Sequence, residues 1–192
     1  VEHPRIRWEI LDRVRDAAHA AGVPKIDDFN TGDNEGSAYF QVNQKGGRRW
    51  SAARGFLKPV LKRPNLKIVT GVMIDRVTVK DGRAVSLQYR RDGQTFEAKA
   101  AGEIVLSAGA VGTPLILERS GIGDTDRLRP HGIAPVRHLP GVGENLQDHL
   151  QIRPIYKVDG IKTLNSEYRT LFRRAMMGAD YALRRRGPMT MA

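Results

Sequence analysis

Apolar side chains recur at helical spacing from Pro4 to Ala21, with Ile6, Ile10, Leu11, Val14, Ala17, Ala18 and Ala21 on one stripe. The spacing predicts an amphipathic helix, which Gly22 and Pro24 end. Ala38 to Gln44 then predicts a short strand closed by Gly46-Gly47, and Ser51 predicts the cap of a helix from Ala52 to Leu57 that stops at Pro59. Pro64 to Gly71 reads as a turn and a buried strand. Three further strands follow, Asp75 to Lys80, Ala84 to Arg90 and Thr95 to Ala98, separated by the tight-turn pairs Asp81-Gly82 and Asp92-Gly93. The run Glu103-Ile104-Val105-Leu106 has the branched, unbroken apolarity of a strand covered on both faces. A helix opened by Thr113-Pro114 ends in Ser120-Gly121-Ile122-Gly123, and a brief one follows over Asp124 to Leu128, with a turn at His131-Gly132. Alternation returns from Ile152 to Val158, predicting a strand of an antiparallel sheet. A long basic helix, Tyr168 to Arg186, closes at Gly187-Pro188.

Composition changes this picture little. At 192 residues and 40% hydrophobic content the chain can bury a core. Lysine and arginine number 32 against 21 acidic residues, a formal charge of +11, which raises nucleic acid as a partner. The tight clusters are only Arg48-Arg49, Arg90-Arg91, Arg173-Arg174 and Arg184-Arg185-Arg186, without interleaved aromatics, so no nucleic-acid partner is expected. Cysteine is absent, which removes disulfides and thiolate chemistry. No apolar run approaches the ~20 residues of a membrane span. The expected location is cytoplasmic, with a membrane-peripheral one as the alternative.

The histidines, His3, His19, His131, His138 and His149, lack the spacing of a zinc site, and no metal is expected. The acidic loop from Asp27 to Glu35 lacks the spacing of a calcium loop and reads as a solvated turn. No Gly-x-Ser-x-Gly elbow supports acyl transfer. What remains is the gap Ser107-Ala108-Gly109-Ala110, where a strand ends in residues with almost no side chain. Such a gap lets a flat ligand lie against backbone, or lets a helix pack closely on the strand.

The residues beyond that gap are distinctive. Gly109-Ala110-Val111-Gly112-Thr113-Pro114-Leu115-Ile116-Leu117-Glu118-Arg119-Ser120-Gly121-Ile122-Gly123 resembles the second signature of the glucose–methanol–choline family of flavin-dependent alcohol oxidoreductases. Leu139 to His149, Arg49 to Ala53 and Phe56 to Pro59 resemble the family too.

The resemblance implies a mixed α/β (α+β) chain: part of an FAD/NAD(P)-binding-type domain with a β-meander, joined to part of an antiparallel-sheet substrate domain. The expected boundaries are 1–58 at the junction of the two, 59–150 in the FAD-binding domain and 151–192 at the start of the substrate domain. Family members are considerably longer, and no Gly-x-Gly-x-x-Gly follows an N-terminal strand here, so an interior piece is expected. By resemblance, FAD lies with its adenosine half beside Ser107, Ala108 and Gly109, and backbone groups near Ile74 bond the purine edge. His149 lines the substrate cavity and helps place the alcohol; the bland reading is a histidine bonded to loop backbone. Gln41 is a weaker candidate for the cavity wall, against a plain sheet residue. Gln151 stands where choline-oxidising members carry a glutamate facing the trimethylammonium group. A neutral amide there cannot offset a buried cation, so an uncharged alcohol is expected instead of choline.

The implied reaction is proton removal from a small-molecule alcohol with hydride transfer to the flavin, and then electron transfer to a quinone or oxygen. The family's main base lies outside this stretch, so the isolated chain is expected to be inactive. Two rival readings stay open: an FAD-containing hydroxynitrile lyase-like member without net redox, and a non-catalytic basic binding module.

Overall fold

The computed structural model describes residues 1–191. The chain forms two compact units, Val1–Leu66 with Pro154–Ala192, and Lys67–Arg153.

The first unit begins with helix α1, Glu9–Ala20, shorter at its start than the apolar spacing predicts. Glu9 and Asp12 fall in its first turn, where carboxylates complement the exposed N–H groups, and Arg5 and Arg7 are left outside. Tyr39 holds the following loop to this helix, its hydroxyl donating to Asp12 Oδ1 at 2.9 Å while the Arg7 and Arg15 guanidiniums lie over its ring. That engagement explains why the strand predicted over Ala38–Gln44 does not form. Only Val42 bridges, to Glu2, before the hairpin of β1 (Gln44–Lys45) and β2 (Arg48–Arg49). Gly46 and Gly47 both have positive φ, as a two-residue turn of the type favoured in hairpins requires. Beyond it Ala53–Leu57 makes a π-helical turn, with Ser51 Oγ accepting from the Arg54 N–H at 3.4 Å, and Lys58–Val60 a 3-10 turn.

The second unit is built on a meander, β3 (Met73–Lys80), β4 (Arg83–Arg91) and β5 (Gln94–Lys99), with antiparallel order β3-β4-β5. Its turns fall at Asp81-Gly82 and Asp92-Gly93, all four residues at positive φ. The strand predicted within Pro64–Gly71 is absent, and Leu66, Ile68 and Val69 are exposed. Glu103–Leu106 is likewise not a strand among the described residues, with Val105 75% exposed. Its composition suits a strand covered on both faces, yet no neighbouring strand takes its backbone groups.

Helix α2, Gly109–Arg119, starts earlier than Thr113-Pro114 predicts. Thr113 does not precede the helix; its Oγ1 reaches back to accept the Ala108 N–H at 3.1 Å. The helix packs on β3, and Val77 and Ile116 are buried there. Ser120 joins the two: its hydroxyl accepts the Val77 N–H at 2.8 Å and donates to Ile116 O at 2.5 Å. Next come β6 (Ile122–Gly123), helix α3 (Thr125–Leu128) capped by Asp124, and β7 (Arg137–His138), parallel to β6. Gly121 sits at φ +79, where a Cβ would come within 2.4 Å of the Ala134 carbonyl. Only glycine meets both conditions.

The strand predicted over Ile152–Val158 does not form: Ile152, Ile155 and Tyr156 are exposed, and among the described residues no strand pairs with them. The first unit resumes with α4 (Leu164–Glu167), closed by a Thr163/Ser166 capping box, and α5 (Leu171–Arg184), capped by Thr170. Thr170 interrupts what the sequence spacing reads as one helix from Tyr168. Buried Gln44 donates through Nε2 to the Thr190 carbonyl, tying the hairpin to the turn at Pro188–Thr190.

Candidate cofactor ledge and substrate loop

Ser107, Ala108 and Gly109 are exposed and lie immediately before and at the first turn of α2. Gly109 adopts φ +83, and a Cβ built on it would meet nothing within 4 Å. Among the described residues, then, the ledge is open at Gly109. Ile74 is half-buried on β3, opposite Tyr89, beside a register shift between Ile74 and Arg76. Because β3 is an edge strand, one row of its backbone groups has no strand partner. On that free side the Val77 amide is taken by Ser120, which fixes α2, and with it the ledge, to the edge of the sheet.

Along α2 lies a groove of about 470 Å³, formed by Ala110, Val111, Pro114 and Leu115 on one side and Gly143 to Gln147 on the other. Arg127 braces it. Its guanidinium lies 3.8 Å from Glu118 on α2 and pairs with Glu144 of the loop. The hydrogen bond to Glu144, reinforced by that carboxylate's charge, raises Arg127 above its ordinary pKa. The sequence alone does not reveal this clamp: Glu118 lies inside the signature stretch and Glu144 in the later run, and nothing in their spacing marks Arg127 as the partner of both. Ser120 was missed as well, taken for part of a helix stop.

The loop leads from Asn145, which has φ +56, to His149. His149 is exposed, with its backbone N–H donating to Asp148 Oδ1 at 2.8 Å. Gln151 is also exposed, its Oε1 accepting from Arg153 Nη2 at 3.4 Å. These two thus share one strandless segment, which follows the groove-lining loop. Gln41 belongs to the other unit; it is half-buried, donates to Asp28 Oδ2 at 3.0 Å, and borders a groove of about 410 Å³ with Trp50 and Arg49. Among the described residues no three acidic or histidine side chains gather as metal donors, and no helix is long and apolar enough to cross a membrane.

The site thus brings together an edge strand, a ledge of small exposed residues and a braced loop. The sequence profile of the GMC oxidoreductase family matches residues 5–151. The chain belongs to the GMC oxidoreductase family. The family resemblance carried by Gly109–Gly123 and Leu139–His149 is thereby confirmed. Mouse mitochondrial choline dehydrogenase is 43% identical over 136 residues, covering 71% of this chain and 23% of that protein. Alcohol dehydrogenase [acceptor] of Pseudomonas putida is 47% identical over 127 residues, 65% of this chain and 23% of that protein. An FAD-dependent oxidoreductase from Chaetomium thermophilum superposes with a TM-score of 0.85 at 26% identity, over 98% of this chain and 34% of that one. The chain therefore spans about a quarter to a third of the length of these GMC relatives. The mixed α/β fold with antiparallel sheets is the one expected for the family.

Proposed function

We propose that this chain is part of a flavin-dependent oxidoreductase that converts an uncharged alcohol to the aldehyde, with FAD as cofactor and a quinone or oxygen as final acceptor. The observation that carries the reading is the open ledge at Ser107-Ala108-Gly109, on the signature helix of a family whose relatives include enzymes named as alcohol and choline dehydrogenases. The residues suit FAD. Exposed backbone at the ledge admits the flat adenosine half without side-chain clash, and the free edge of β3 near Ile74 offers N–H and C=O groups to a purine edge. Each such bond contributes about 0.5–1.5 kcal/mol net, so binding is shared over many contacts. FAD, when bound, accepts the hydride.

The chain's own residues hold and select. His149 lines the substrate cavity and orients the alcohol hydroxyl; residues 151–192 begin the substrate domain and residues 59–150 contribute to the FAD-binding domain. Gln151, bonded to the Arg153 guanidinium, puts a neutral amide and a fixed positive charge next to each other. A quaternary ammonium finds no counter-ion there, whereas a neutral alcohol loses nothing. Gln41 forms a second piece of cavity wall. The proposed location is cytoplasmic, and the chain alone is inactive because the main base lies beyond it.

The test is anaerobic mixing of the full-length flavoprotein with neutral primary alcohols and with choline. Bleaching of the flavin by the neutral alcohol, at a kcat/KM at least tenfold above that for choline, supports the reading. An oxidised flavin with continued hydroxynitrile cleavage points to the lyase instead. Faster reduction by choline refutes the assignment of Gln151.

A further inference from the structure

In the first unit, the β1–β2 hairpin, the turn after it and the end of α5 meet around a groove of about 550 Å³ lined by Arg48, Arg49, Ser51, Arg54, Tyr181 and Arg185. Four guanidiniums on one groove repel one another, yet none has a carboxylate within 4.0 Å among the described residues. Only one donates to the protein at all: Arg54 Nη1, to the Arg49 carbonyl at 3.3 Å. Arg185 lies over the Tyr181 ring, 4.9 Å from its centroid, which orients the guanidinium without consuming its N–H groups. Ser51 and Tyr181 complete the lining.

The arrangement is built rather than incidental. Arg185 occupies the left-handed region at φ +54, a conformation that a non-glycine residue adopts at a cost. A Cβ on Gly47 would lie 2.5 Å from the Arg185 carbonyl, so the hairpin turn and the helix end are in close apposition. The Gln44 bond to Thr190 holds the same two elements together from the buried side. Forked guanidiniums gathered on one groove suit the tetrahedral oxygens of phosphoryl groups, where each can bond two oxygens.

We propose that this groove binds a multiply charged oxyanion of the phosphate class, free or as the terminal phosphate of a small ester. The volume admits a pyrophosphate-sized ligand. The site lies wholly within the first unit and uses none of the ledge or loop residues, although Arg49 and Ser51 also border the groove beside Gln41.

The experiment is calorimetric titration of the full-length protein with inorganic phosphate, pyrophosphate and a nucleoside diphosphate. Pyrophosphate is expected to bind saturably, with a Kd below about 1 mM. Arg48→Gln and Arg185→Gly each weaken it at least tenfold, while Arg90→Gln, on the meander, leaves it unchanged. Arg185→Gly suits a left-handed position, so its loss of binding cannot be ascribed to misfolding, and an unaltered circular dichroism melt confirms this. Equal affinity for pyrophosphate and the diphosphate shows that the phosphoryl groups alone are read; a tighter diphosphate shows an ester source. Absence of saturable binding overturns the proposal. So does undiminished binding in both variants, and so does tenfold tighter binding of a single-stranded oligonucleotide through the same arginines.

Discussion

The meander with its helix and the segment from Leu150 to Tyr156 are both rich in large apolar side chains, and they meet opposite fates. Val77 on β3 and Ile116 on α2 are 6% exposed, and Leu128 on α3 2%. In the segment, Leu150 and Ile155 are each 94% exposed and Ile152 84%. Hydropathy does not separate the two regions, but partners do. The meander strands find each other within two-residue turns, and α2 returns onto β3 through Ser120, so local sequence closes its own contacts. The alternation from Ile152 to Val158 marks one strand only, and no strand among the described residues pairs with it. An alternating pattern specifies which face is apolar, whereas pairing requires a second strand.

Substitutions should reproduce that difference. Gly121→Ala should be the most damaging, because it places a Cβ against the Ala134 carbonyl at a positive φ; a loss of roughly 3 kcal/mol or more in urea unfolding is expected. Ile116→Ala should cost about 2–4 kcal/mol, while Ile155→Ala, equally apolar but exposed, should stay within about 0.5 kcal/mol. Equal losses at the two isoleucines would erase the distinction. Ser120→Ala leaves the buried Val77 amide without an acceptor, for a loss of about 1–3 kcal/mol. Faster hydrogen exchange at Val77 is its specific sign.

The smallest effect concerns the first unit and pH. Asp28 is held below the ordinary aspartate range by the Asn30 backbone N–H, then by the Asn30 side chain and by Gln41. Its folded value is depressed, so its contribution is present above the ordinary range and is lost as pH falls through the depressed value. Carboxyl titration followed by NMR should show Asp28 moving upward in Gln41→Leu; an unmoved titration would remove Gln41 from that network.

Much of the second unit is legible from residues alone, since Asp-Gly pairs at two-residue spacing and period-two alternation act over short distances. Gly109–Gly123 is legible for another reason, its resemblance to the family signature; within it Gly121 and Gly112 answer close approaches, whereas Gly109 meets nothing within 4 Å. What the sequence conceals depends on distant partners. Val105 reads as a buried strand residue and is exposed, Ala38–Gln44 yields to Tyr39 binding α1, and the Arg127 clamp joins carboxylates far apart along the chain. At the site, small residues reveal the ledge, yet nothing in their pattern reveals that Ser120 fastens it to β3.

The central claim is that the ledge beside Ala108 receives the adenosine half of FAD. It is tested most directly by measuring FAD affinity of the full-length protein carrying Ala108→Leu, against Ala182→Leu on the exposed face of α5 as a control. A bulky side chain on the ledge should weaken FAD at least tenfold with the fold intact and the control unchanged. Equal FAD affinity in the two variants would contradict the claim.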